Sequence, residues 1–100
     1  EDQALRVLTR GLDRLPKEAI LHYSAGLTHI RLKAYAAARP FLAEASALAP
    51  ARADFFYTYL VLMDALGKRP EALDDIKARY PGGSRPPQIE QLQENWQRGH

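Results

Sequence analysis

The feature that most limits what this chain can fold into is a sequence repeat of 34 residues. Self-similarity at such a period is typical of proteins built by stacking copies of one small unit. Several independent matches at one period are hard to obtain by chance, particularly when proline is among them. The recurring residues are Ala4, Ala38 and Ala72; Leu8, Leu42 and Ile76; Pro16 and Pro50; and Tyr23 and Tyr57.

The apolar residues follow the period of an α-helix almost throughout the chain. Five apolar stripes at helical spacing succeed one another, and four of them end at a proline or a glycine, among which Gly67 is the expected C-cap of its helix. No segment alternates with a period of two for long enough to predict a strand. The sequence therefore predicts an all-α fold. The stripes include Leu8, Leu27, Leu42, Leu60 and Ile76, respectively.

One repeat carries small and aromatic positions at a spacing that resembles the tetratricopeptide (TPR) family. It reads His22-x2-Ala25-Gly26-x2-His29, then Ala38-x3-Leu42, then Pro50. The resemblance implies a right-handed α-solenoid of antiparallel helix pairs, with a half-repeat at residues 1–18 and repeats at 19–52 and 53–80. The chain departs from the family pattern where two histidines replace large aromatics and where Ser84 replaces the last proline.

The C-terminal tail is predicted to form a linker at residues 81–87 and an amphipathic helix at residues 88–100. Ile89, Leu92 and Trp96 fall on one face of this helix. Two interpretations are open. The favoured one is a helix that caps the end of the solenoid, as repeat arrays require, and the other is a detachable segment that docks elsewhere.

Pro40 interrupts the alanine-rich third stripe, where a proline removes one backbone donor. It lies off the packing face that the repeat assigns to Ala38 and Leu42. Water can therefore bind the carbonyl of Ala36, which loses its helical partner. We expect a single helix over residues 34–48, kinked near Pro40.

Charge and motif patterns exclude several function classes. The net charge of +2 arises within residues 19–50, and no block of like charge suits a phosphate backbone. We therefore expect no nucleic-acid partner, and the absence of a long apolar run predicts no membrane insertion. The stripe Arg6, Arg10 and Arg14 is expected to be a solvated face, with nucleic acid or an acidic partner as the alternative.

No residue pattern in the chain points to catalysis or to a cofactor. His22 and His29 lie two helical turns apart, but no acidic residue between residues 19 and 43 completes a metal site, so packing is expected for both. The neighbouring Asp74 and Asp75 point about 100° apart on a helix and do not converge. We expect no enzymatic activity, no cofactor and no metal.

What the resemblance implies is recognition of a peptide or protein in a concave groove lined by the first helix of each repeat. Tyr23 and Tyr57 would place two amphipathic rings on one wall, unless they pack against neighbouring helices. Because Asp54 and Asp64 repel carboxylates, the expected ligand is a mixed apolar segment with a basic residue, not an acidic C-terminus. The groove residues are Tyr23, Leu27, Ile30, Arg31, Asp54, Tyr57, Val61 and Asp64.

The function predicted from these patterns is that of a protein-interaction scaffold. The alternative is a regulatory or substrate-recruiting appendage of a larger enzyme whose catalytic domain precedes Glu1, since the chain does not begin with methionine. A further possibility is self-association through the edge formed by Leu5, Leu8 and Leu12. The sequence does not indicate a cellular compartment.

Overall fold

A computed structural model describes residues 2–99, with the side chain of Asp2 left out. The outer bounds predicted at residues 1 and 100 lie outside this part of the chain. Six α-helices and no strands occur within it, which confirms the all-α prediction. The helices are α1 (Asp2–Arg14), α2 (Ala19–Arg31), α3 (Tyr35–Leu48), α4 (Ala53–Ala65), α5 (Arg69–Arg79) and α6 (Pro87–Gln97).

The consecutive helices from α1 to α5 pack against one another. Contacts also skip one helix. The Tyr23 ring of α2 stacks on Phe55 of α4 with ring centroids 4.2 Å apart, and α4 also contacts α6. The even-numbered helices α2 and α4 therefore each contact the next two helices in the chain.

The core consists of two clusters of buried side chains. The smaller lies between α2, α3 and α4 and contains Ala38, Leu42 and Leu62. Here α2 approaches α3 closely, because a Cβ added to Gly26 would lie 2.6 Å from Leu42 Cδ2. The larger cluster joins α4, α5 and α6 and contains Phe56, Leu60, Met63, Ala72, Ile76, Ile89 and Trp96.

Two helices end in the same hydrogen-bonded motif, 34 residues apart. The residue that follows the C-cap is Lys33 after α2 and Gly67 after α4, and both adopt left-handed backbone, with φ of 60° and 74°. In each case the N–H groups of this residue and the next donate to carbonyls three and five residues back, at 2.8–2.9 Å. This is the Schellman arrangement, in which glycine avoids the strain that a Cβ causes. The expected glycine cap is thus present at Gly67, while Lys33 occupies the same position without that freedom.

Helix α3 runs unbroken through Pro40, so the prediction of a single helix is confirmed. Pro40 is exposed, and so is Ala36, whose carbonyl would have accepted the missing hydrogen bond. Solvent can therefore satisfy that carbonyl. The kink near Pro40 stays a prediction.

The tail helix α6 begins at Pro87 and is packed against the rest of the chain. Ile89 and Trp96 are buried in the larger cluster, and the guanidinium of Arg69 lies 5.4 Å from the centroid of the Trp96 ring. A cation over an indole face adds to the apolar contact. These contacts favour the capping interpretation over that of a detached segment.

Candidate peptide-binding surface

The candidate site comprises the outward face of α4 and the adjoining residues of α2. Tyr57 and Val61 lie one turn apart on α4 and are 37% and 41% exposed. On other sides of the same helix Phe56, Leu60 and Met63 are buried. Because core packing holds α4 on those sides, the exposed pair is presented on a fixed backbone.

Tyr23 does not share the exposure of its counterpart Tyr57. Its hydroxyl is hydrogen-bonded with Thr58 Oγ1 at 3.0 Å, and its ring stacks on Phe55. The Arg52 guanidinium also lies over the Phe55 ring, 4.1 Å from its centroid. Of the two alternatives for the tyrosine pair, packing describes Tyr23 and exposure describes Tyr57. The structure adds Arg52 and Phe55, which the sequence pattern did not single out.

Both acidic residues of the predicted groove have partners within the chain. Asp54 accepts two hydrogen bonds from Arg52, at 2.8 and 3.0 Å, and this donor lowers the pKa of the carboxyl below its usual value. Asp64 forms an ion pair with Arg69. A basic residue of a ligand would have to compete with these arginines, which weakens the expectation of a basic residue near Asp54 or Asp64.

The remaining predicted residues of α2 divide between the core and a second surface. Ile30 packs on the smaller core cluster. Leu27 and Arg31 line a groove between α1 and α2, and Arg31 also donates to Thr28 Oγ1 at 3.1 Å. We call this surface, with a volume of about 460 Å³, the α1–α2 groove. Its lining residues are Gln3, Ala4, Val7, Leu8, Ser24, Leu27, Thr28 and Arg31.

A further cavity of about 410 Å³ lies between α3, α4 and α5. Tyr59 donates to Asp75 Oδ2 at 2.6 Å, and burial together with this hydrogen bond raises the pKa of the Tyr59 hydroxyl. Arg79 donates to the Ser46 carbonyl at 3.0 Å and lies 4.3 Å from the Phe56 centroid. The Ser46 carbonyl belongs to the last turn of α3, where a cation complements the helix dipole. The polar groups of this cavity thus form hydrogen bonds that join α5 to α4 and to α3.

The two histidines lie close to Phe41. The His29 ring stacks on it at 5.2 Å, the His22 ring lies 6.3 Å away, and His22 Nε2 donates to the carbonyl of Pro16 at 2.7 Å. Within residues 2–99 no three metal-ligating side chains cluster. Over the same residues, none of the helices has the length and hydropathy that a bilayer crossing requires.

Comparisons with protein-family models, with curated proteins and with solved structures found no match for this chain. Function is therefore inferred from the surfaces themselves.

Proposed function

We propose that this chain is a protein-interaction module that binds a peptide or protein segment on the exposed face of α4. One observation carries the proposal: Tyr57 and Val61 form an exposed aromatic and aliphatic pair on a helix that is buried on its other sides. Tyrosine supplies a large contact area and a hydroxyl while losing little conformational entropy, which is why it is frequent among residues that dominate binding. The resemblance to TPR proteins supports the same function.

The charges around this pair match the layout of a binding surface. Asp54, which is paired with Arg52, lies three residues before Tyr57, and Asp64, which is paired with Arg69, lies three residues after Val61. An apolar centre with a polar rim is the usual anatomy of protein interfaces. Because both rim carboxylates are already paired, the preferred ligand is an apolar segment with a neutral or zwitterionic border.

The test selects peptides from a random display library on the wild-type chain and measures their affinity by fluorescence anisotropy. Val61→Glu and Tyr57→Ala should each weaken the selected peptides at least about tenfold, because each removes a contact at the apolar centre. Tyr35→Ala is the matched control, since Tyr35 is 41% exposed but lies on α3. Equal affinity for all four proteins would place binding elsewhere.

A further inference from the structure

The α1–α2 groove is an apolar surface that the proposed α4 site does not use. Val7 of its lining is 61% exposed, the highest value among the large hydrophobic residues described. Ala4, Leu8 and Leu27 are half-buried along its length. An exposed apolar surface of this kind on a folded chain marks an interaction site.

The sequence repeat shows what kind of occupant the groove fits. A shift of 34 residues maps α1 and α2 onto α3 and α4, and it maps the groove floor onto residues that α2 covers. Gly26 meets Leu42, the Tyr23 hydroxyl meets Thr58, and His29 stacks on Phe41. The counterparts of Ala4, Val7, Leu8, Ser24 and Thr28 are Ala38, Phe41, Leu42, Thr58 and Leu62, respectively.

Helix α4 contacts α5 and α6, just as α2 contacts α3 and α4. Its buried residues Phe56, Leu60 and Met63 pack in one cluster with side chains of α5 and α6. Helix α2 therefore lies over the α3–α4 pair, and α4 in turn contacts both α5 and α6. Within the described residues no helix lies over α1 and α2.

We propose that the α1–α2 groove binds an amphipathic helix of another protein, with an acidic first turn followed by an aromatic-x2-small-x3-aliphatic pattern. The proposal rests on the proposed function in so far as the chain is a protein-binding module, but it concerns a separate surface. Its pattern is that of α2 itself, where Tyr23, Gly26 and Ile30 contact the α3–α4 pair.

The small residue follows from Leu8, the counterpart of Leu42. Where α2 crosses α3, a Cβ on Gly26 would lie 2.6 and 2.7 Å from Leu42 Cδ2 and Cγ. Real Cβ contacts do not occur at such distances, so a helix that seats at the same depth over Leu8 needs glycine or alanine at the crossing point. A larger residue would hold the helix away from the groove floor.

The acidic first turn follows from the direction of the helices and from the charges on α1. Gly11 of α1 faces Leu21 of α2 at 3.3 Å, so the end of α1 lies beside the start of α2. Arg10 and Arg14 are three and seven residues after Val7 and continue its exposed face toward that end. An occupant aligned as α2 is on α4 begins there, where carboxylates also complement its own dipole.

The same charges distinguish this occupant from a second copy of the chain. Self-association through Leu5, Leu8 and Leu12 would use the side of α1 that faces away from Arg6, Arg10 and Arg14, so the second copy would supply no acidic group to these arginines. The groove is also concave and apolar at its floor, and it has no exposed aromatic ring for stacking bases. A helix of a different protein fits these features best.

The experiment titrates a labelled peptide spanning residues 17–34 that carries Lys17→Glu and Ala19→Glu, held helical by a lactam on its exposed face. Wild-type protein should bind it, and Val7→Glu should weaken binding at least about tenfold. Arg10→Glu with Arg14→Glu should weaken it in a salt-dependent way. In the peptide, Gly26→Leu should also lower the affinity at least about tenfold.

Val61→Glu is the matched control, since Val61 lies on the α4 face: it should leave the binding of this peptide unchanged while weakening the display-selected peptides. Thermal unfolding followed by circular dichroism checks that Val7→Glu still folds, as expected for an exposed position. The proposal is overturned if no binding occurs up to about 1 mM peptide or if Val7→Glu has no effect. A concentration-dependent dimer that Val7→Glu abolishes, or single-stranded RNA binding that depends on Arg10 and Arg14, would overturn it too.

Discussion

Adding one methyl group at Gly26 tests the close contact between α2 and α3. In Gly26→Ala the new Cβ would lie 2.6 Å from Leu42 Cδ2 and 2.7 Å from its Cγ. Leu42 is fully buried among Ala38, Leu62 and their neighbours, so its side chain cannot turn into solvent. Either the leucine leaves its rotamer or α2 moves away from α3.

Two opposing terms set the expected magnitude. Overpacking of a core costs about 1–3 kcal/mol, and the short distances place Gly26→Ala in the upper part of that range. Alanine is favoured over glycine within a helix by about 1 kcal/mol. The net loss in the free energy of unfolding is therefore about 1–2 kcal/mol, which lowers the Tm of a chain of this size by roughly 5–15 °C.

Urea unfolding followed by circular dichroism measures this loss, with Gly11→Ala as the matched control. At Gly11 the added Cβ would lie 3.3 Å from the end of the half-buried Leu21 side chain, which can yield. Gly11→Ala should therefore be neutral or stabilise the protein by up to about 1 kcal/mol.

A double-mutant cycle makes the contact itself the measured quantity. Leu42→Ala alone should cost about 2–5 kcal/mol because it leaves a cavity. With that leucine gone, Gly26→Ala should change sign and become stabilising, since only its helix propensity and some cavity filling remain. If Gly26→Ala stabilises the wild-type chain, or has the same effect in both backgrounds, the close approach of α2 to α3 is wrong.

Three further predictions concern caps, pH and the tail. Lys33→Gly should stabilise the protein by about 0.5–1 kcal/mol by removing left-handed strain, whereas Gly67→Ala should destabilise it by about 1 kcal/mol, both measured by urea unfolding. Because the pKa of Tyr59 is raised in the folded state, its contribution to stability is complete below a pH of about 10, where unfolded tyrosine ionises, and is lost as the pH rises further. Above that pH the free energy of unfolding of Tyr59→Phe should fall less steeply than that of the wild type, by up to about 1.4 kcal/mol per pH unit. Equal slopes would contradict a Tyr59 proton held by the hydrogen bond to Asp75. Ile89→Ala should cost about 2–4 kcal/mol and lower the Tm of the whole chain, whereas an unchanged core transition would show that α6 does not contribute to it.

The helices were predictable from the sequence because their signals are local or periodic. Apolar spacing and the stops at proline and glycine predict five stripes and a tail helix, and residues 2–99 contain six helices in those places. The unbroken α3 also followed, because the repeat placed Pro40 on the solvent side. Handedness and the TPR-like arrangement stay predictions, since they depend on how packed pairs rotate relative to one another.

The candidate surface was less predictable because partners outside the repeat decide it. Spacing gave Tyr23 and Tyr57 equal status, but Tyr23 is half-buried against Phe55 and Thr58, whereas Tyr57 is exposed. The arginines that neutralise the two acidic residues come from turns and helix starts, where apolar periodicity carries no information. The left-handed cap at Lys33 could have been predicted, because the 34-residue repeat aligns Lys33 with Gly67.

The two ends of the helix stack differ, and this difference links the fold to function. At the C-terminal end α6 adds Ile89 and Trp96 to the core and packs against α4. At the N-terminal end, the α1 residues that correspond to the covered residues of α3 are half-buried or exposed. Val7, for example, is exposed, whereas its counterpart Phe41 is contacted by His29. The fold itself forms the α1–α2 groove, and Arg10 and Arg14 favour a helix with an acidic first turn as its ligand. A helix bound there would therefore extend the core by one helix. Because such a ligand binds only the folded state, its binding should raise the Tm of the protein.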